Sequence, residues 1–127
     1  MRTRWVAIAL ILATPSSHAA GTSAGQAIFR GACAGCHAAG APRVLAGQPL
    51  LANAATIRAS NPDNAAELIL HGRQPPAEQR GPWMPPFETT LSDTQIADVL
   101  ASVRQSAGEP PWPDLAQRVR ALRRETQ

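Results

Sequence analysis

Two cysteines three positions apart, followed at once by a histidine, make up the most reactive stretch of the chain: Cys33-Ala34-Gly35-Cys36-His37. Thiols at i and i+3 beside an imidazole suit covalent haem attachment, in which each thiol adds across one vinyl group and His37 reaches the iron from the proximal side. Two other chemistries use paired cysteines. A structural zinc site needs four ligands, whereas the chain beyond its first twenty residues offers only Cys33, Cys36, His37 and His71, without the paired spacing of zinc modules. A thioredoxin-like dithiol is expected beside a βαβ pattern of β-branched runs, and this sequence has none. The residues favour haem.

The segment before this stretch reads first as an address. Arg2 and Arg4 form a positive n-region, residues 5–13 an apolar h-region, and Ser17-His18-Ala19 a small-x-small cleavage site. The mature chain is expected to start near Ala20, with 1–19 as signal peptide. The apolar run is about half the length that spans a bilayer. Export agrees with the haem reading, because haem is attached to Cys-x-x-Cys-His in the bacterial periplasm or its equivalents.

Without the leader, 10 Arg face 9 acidic residues and there is no Lys, so the formal charge falls from +3 to +1. Two haem propionates would cancel that excess, and nothing argues for nucleic acid or for broad attraction to a membrane. The remaining length, roughly 107 residues, allows one small domain, whose marginal apolar core a buried macrocycle would complete.

Every element legible in the sequence is helix or loop. Ser23 to Ala32, with Ala27, Ile28 and Phe29, reads as a helix leading into the haem motif, and the Gly/Pro-rich run 38–47 as a loop around the proximal edge. Pro49 suits the start of a short helix through about Ala55. Asn61-Pro62-Asp63 opens another that presents Ala65, Leu68 and Ile69 and stops at Gly72 in a left-handed conformation. From Arg73 to Pro86 five prolines exclude regular structure, and a rigid loop of this length is usually functional. Ser92-Asp93-Thr94-Gln95 is a capping box for a helix with Ile96, Val99, Leu100 and Val103 on one face, ending at Gly108.

Together, Gly25 and Phe29, Cys-Ala-Gly-Cys-His, Ile69-Leu70-His71-Gly72, Met84-Pro85-Pro86-Phe87 and Leu91-Ser92-Asp93 resemble a class I c-type cytochrome from about Thr22 to Gly108. They are similar, more narrowly, to the monohaem c domains of cytochrome subunits serving periplasmic alcohol or sugar-acid dehydrogenases. The resemblance implies an all-α fold of three to five helices wrapped around one covalently bound haem c. It also implies a domain over 20–108, and His37 and Met84 as axial iron ligands beside the attachment residues Cys33 and Cys36. First and last helices would cross near Gly25 and Phe29, where this chain has Ser102 in place of the usual aromatic. Once the leader is removed, only Met84 and His71 compete for the sixth position. Met84 is favoured, because Pro85 and Pro86 stiffen its loop, whereas His71 sits at a helix end suited to terminal carbonyls.

Residues 109–127 read as a Pro-rich linker and a short basic amphipathic tail helix, with Leu115, Val119 and Leu122 on one face and Arg118, Arg120, Arg123 and Arg124 around it. It either docks on an acidic partner or membrane surface, or its apolar stripe folds back on the domain or frays, and the second reading is favoured. Trp83 and Trp112 read as packing residues, and Arg43, Arg73 and Arg80 as solvated cations that could meet propionates or a partner. The expected role is an exported periplasmic carrier of single electrons between a periplasmic dehydrogenase and a respiratory acceptor such as a terminal oxidase or another cytochrome. Such a carrier has no substrate chemistry of its own and meets a membrane only through a partner. The alternatives are a haem enzyme or gas sensor with an open sixth position, and a subunit whose haem mainly holds the fold.

Overall fold

A computed structural model of the chain describes residues 18–41, 50–75, 77–78 and 83–125. The expected leader up to residue 17, most of the loop after His37, Arg43, Pro49 and Arg80 lie outside them. The described residues form α1 (His18–Ile28), α2 (Ala34–His37), α3 (Ala55–Arg58), α4 (Asp63–His71), α5 (Asp93–Ser106) and α6 (Leu115–Glu125). A π-helical segment, Phe29–Cys33, joins α1 to α2, so these three pieces make one continuous helix. No strand occurs among the described residues; Arg73 and Met84 form an isolated antiparallel bridge. The fold is all-α, as the sequence leads one to expect.

The first helix is longer than the run Ser23 to Ala32 and carries the Cys-x-x-Cys-His stretch within it. Alanine-rich sequence costs little to hold as helix. The single helix expected from Pro49 to about Ala55 is instead a 3₁₀ turn, Leu51–Asn53, followed by α3, because Ala54 adopts an extended conformation between them. Asn61 helps to start α4: its Oδ1 accepts the Asp63 N–H at 3.3 Å. In α5 the capping box is complete, with Ser92 Oγ accepting from Gln95 N at 3.2 Å and Gln95 Oε1 accepting from Ser92 N at 2.9 Å.

Helix α5 buries Ile96, Ala97, Val99, Leu100 and Val103, the stripe its spacing requires. Helix α1 crosses it at Gly25, where a Cβ would stand only 2.8 Å from that of Ser102. The core continues through Ile57, Ala65, Ala66 and Leu70 into Trp112, Leu115, Val119 and Leu122. Helix α6 therefore packs on the body of the fold, against α4 and α5. Arg118 donates to both carboxylate oxygens of Asp63 at 2.7 and 2.8 Å, and Arg123 Nε to Asp93 at 2.7 Å. These acids are the first residues of α4 and α5, where negative charge also meets the positive ends of the helix dipoles.

Arg104 is buried, a placement that an arginine in a surface-type pattern does not announce. It donates to the carbonyl oxygens of Ile57, Ala59 and Pro110, and its guanidinium lies 4.0 Å from the centre of the Trp112 ring. Trp112 Nε1 in turn donates to Ala59 O at 3.1 Å. Trp112 is thus a packing residue, but Trp83 is not: it is 59% exposed.

Candidate functional site

An apolar cavity of about 570 Å³, counting the part open to solvent, lies between the first helix, α3, α4, α5 and the segment before Phe87. The first helix contributes Phe29, Cys33 and His37. A four-residue step overshoots one turn of α-helix and undershoots one turn of the wider π-helix. The step from Phe29 to Cys33 in the π segment and the step from Cys33 to His37 in α2 therefore offset, and all three side chains reach one wall. Leu51, Thr56 and Ile57 close one side, Ala65, Leu68 and Ile69 of α4 another, and Val99, Leu100 and Val103 of α5 the floor.

Met84 also lines this cavity. His71, by contrast, is exposed and is not among the lining residues. Cys33 is half-buried, whereas Cys36, exposed, stands outside the lining set. Arg73 is exposed too. Of the residues singled out by sequence, the fold thus brings Cys33, His37 and Met84 together around one apolar space.

Burial holds His37 below the ordinary imidazole range, so its ring is neutral at pH 7 and has a lone pair to offer a metal. Burial, and then the neighbouring Cys36, push the Cys33 thiol up. A reactive redox dithiol requires the opposite shift. Among the described residues no three His, Cys, Asp or Glu side chains gather as a metal cluster. A flat apolar macrocycle fits what is there: a nearly unbroken hydrocarbon lining, two thiols at attachment spacing, a neutral imidazole and a thioether.

A helical fold closed over such a cavity beside Cys-x-x-Cys-His defines a class I c-type cytochrome. The chain belongs to the cytochrome c family, which it matches over residues 22–107. That family binds haem c covalently, and Cys33 and Cys36 fit the attachment. Similarity extends to a nicotinate dehydrogenase subunit of Pseudomonas putida, 36% identical over 80% of this chain and 9% of that protein. The Cbb3-type cytochrome c oxidase subunit FixP of Sinorhizobium medicae is 31% identical over 84% of this chain and 37% of its own length. Cytochrome c6 of Thermosynechococcus vestitus is 33% identical over 82% of this chain and 88% of its own. The chain therefore spans a small part of the first two relatives and most of the third. No solved structure matches it. The match ends at residue 107, so α6 lies beyond it.

Sequence reasoning missed Leu51, Thr56 and Ile57 as lining residues. Their segment carries no motif, and only the fold brings it to the cavity.

Proposed function

We propose that this chain is exported to the periplasm behind a cleavable leader at 1–19. There its haem unit, 20–108, carries single electrons from a periplasmic dehydrogenase towards a respiratory acceptor. The observation that carries the reading is the meeting of Cys33, His37 and Met84 on one apolar cavity. In this reading Cys33 and Cys36 would hold the haem by thioethers, and His37 and Met84 would ligate its iron. The bound haem supplies a one-electron couple; the chain supplies orientation and exclusion of water. Neutral His37 would give a nitrogen ligand, and the thioether of Met84 favours ferrous iron, which suits a carrier of relatively high potential. The apolar lining keeps charge and solvent from the iron and favours the less charged, reduced state.

Two of the relatives support the setting, since one is named as a dehydrogenase subunit and the other as an oxidase subunit. The chain matches a small part of each, as one haem-bearing module would. The role in an oxidoreductase complex, and any approach to a membrane through a partner, belong to the same proposal. The test is to express the chain with a working haem maturation system and follow the haem through denaturing electrophoresis. Haem should stay with the polypeptide, be lost at one attachment point in Cys36→Ala, and take up one electron reversibly. Haem that extracts freely from the wild-type protein would contradict the proposal.

A further inference from the structure

The segment that carries Met84 is fastened to the end of α4 by backbone hydrogen bonds. Arg73 N donates to Met84 O at 2.9 Å and Met84 N to Arg73 O at 2.8 Å; Phe87 N donates to Ile69 O at 2.9 Å and Glu88 N to Leu70 O at 3.1 Å. The last two bonds satisfy carbonyls that the helix end would otherwise leave open. Between the two pairs lies Gly72. Its φ of 70° and ψ of −167° put it not in the left-handed helical region but in a region essentially reserved for glycine. A Cβ there would stand 2.4 Å from Met84 O, 2.7 Å from Pro86 N and 2.8 Å from Pro85 C. All three are backbone atoms, and the two prolines leave them little freedom to yield.

We propose that Gly72 is the positioning residue for Met84: its bare Cα lets the 84–86 backbone lie directly on the end of α4, and this clasp sets where the thioether stands in the cavity. The inference rests on the reading of Met84 as an axial ligand. Leu68 and Ile69, one turn before Gly72, line the same cavity as Met84, so a shift at the clasp is a shift at the cavity wall. Gly72 thus does more than stop a helix. A stop alone needs the positive φ; the clasp also needs the absence of a side chain.

Gly108 separates the two requirements. Its φ is 72°, yet a Cβ added to it would meet nothing within 4 Å. Haem-loaded wild type, Gly72→Ala, Gly108→Ala and Met84→Ala are compared by the near-infrared sulfur-to-iron charge-transfer band of the oxidised protein and by carbon monoxide binding to the reduced one. Gly72→Ala should lose the band and bind carbon monoxide on the order of tenfold more tightly or better, since the apparent affinity follows the fraction of open iron. Gly108→Ala should keep the wild-type band. Arg73→Pro replaces the Arg73 N–H with a ring carbon facing Met84 O, so it opens the clasp without adding a Cβ at Gly72. It should raise carbon monoxide affinity in the same direction, and it carries the test if Gly72→Ala does not fold. A Gly72→Ala protein with the wild-type band and wild-type carbon monoxide affinity overturns the proposal while Met84→Ala still lacks the band. If Met84→Ala and wild type share one spectrum, the ligand reading fails, and the proposal with it.

Discussion

Gly25 and Ser102 meet where α1 crosses α5, so closely that a Cβ on Gly25 would come within 2.8 Å of the Ser102 Cβ and 2.0 Å of the Asp98 carbonyl oxygen. The two helices touch through backbone, and Ser102 is small enough to allow it. Gly25→Ala should therefore force them apart. We expect a loss of about 1–3 kcal/mol, the usual cost of overpacking, read by denaturant unfolding of the haem-loaded protein. Gly31→Ala, which meets nothing within 4 Å, is the control.

Arg104→Met keeps an apolar stem but removes the guanidinium, leaving the carbonyls of Ile57 and Pro110 without their donor and that of Ala59 with Trp112 Nε1 alone. A loss of about 2–4 kcal/mol is expected, because hydrogen bonds to a charged group are worth more than neutral ones and each abandoned carbonyl keeps its desolvation cost. Arg104→Lys should recover little of it, since a compact ammonium cannot span what a planar fork reaches. Equal midpoints of urea unfolding for wild type and Arg104→Met would contradict this.

The tail is tested by contrast along one helix. Leu122, 2% exposed, should cost about 2–5 kcal/mol on change to Ala, whereas exposed Arg124→Ala should stay within about 0.5 kcal/mol. A tail that merely packed back or frayed could be deleted over 110–127 with haem incorporation and electron transfer to the partner nearly unchanged. With Trp112, Leu115, Val119 and Leu122 in the core, deletion should instead lower the unfolding midpoint sharply.

Asp63 supplies a pH signature. The hydrogen bond from Arg118, with its charge, holds the Asp63 carboxyl below its usual range. A depressed carboxylate contributes stability above the unfolded-state value and loses it as pH falls through the folded one. Asp63→Asn should therefore be less stable than wild type at pH 7, and the two should converge in acid. The pair is partly solvent-exposed, so the gap should also narrow in high salt. A gap that widens on acidification would refute the assignment.

What was legible in the sequence is what short range determines. The Ser92–Gln95 box, the stripe from Ile96 to Val103 and the attachment stretch at 33–37 depend on spacing within one or two turns. The crossing at Gly25 and Ser102 was legible through the family pattern. Arg104 was not, because its partner Ile57 lies 47 positions away and no local pattern marks an arginine for burial. Nor was the contact of Gly72 with Met84 O, since a glycine that ends a helix looks the same whether or not another stretch of chain crosses it. Trp83 reads as packing because its ring is apolar, yet it is exposed, and nothing local in the sequence separates it from Trp112, which is buried.

The proposed completion of the iron coordination by Met84, and not His71, opposite His37 is tested most directly by one measurement. The near-infrared charge-transfer band of the oxidised, haem-loaded protein is recorded for wild type, Met84→Ala and His71→Ala. Ligation by Met84 predicts the band in wild type and in His71→Ala, and its loss in Met84→Ala together with a lower reduction potential. A native low-spin spectrum that survives Met84→Ala but disappears in His71→Ala would contradict it.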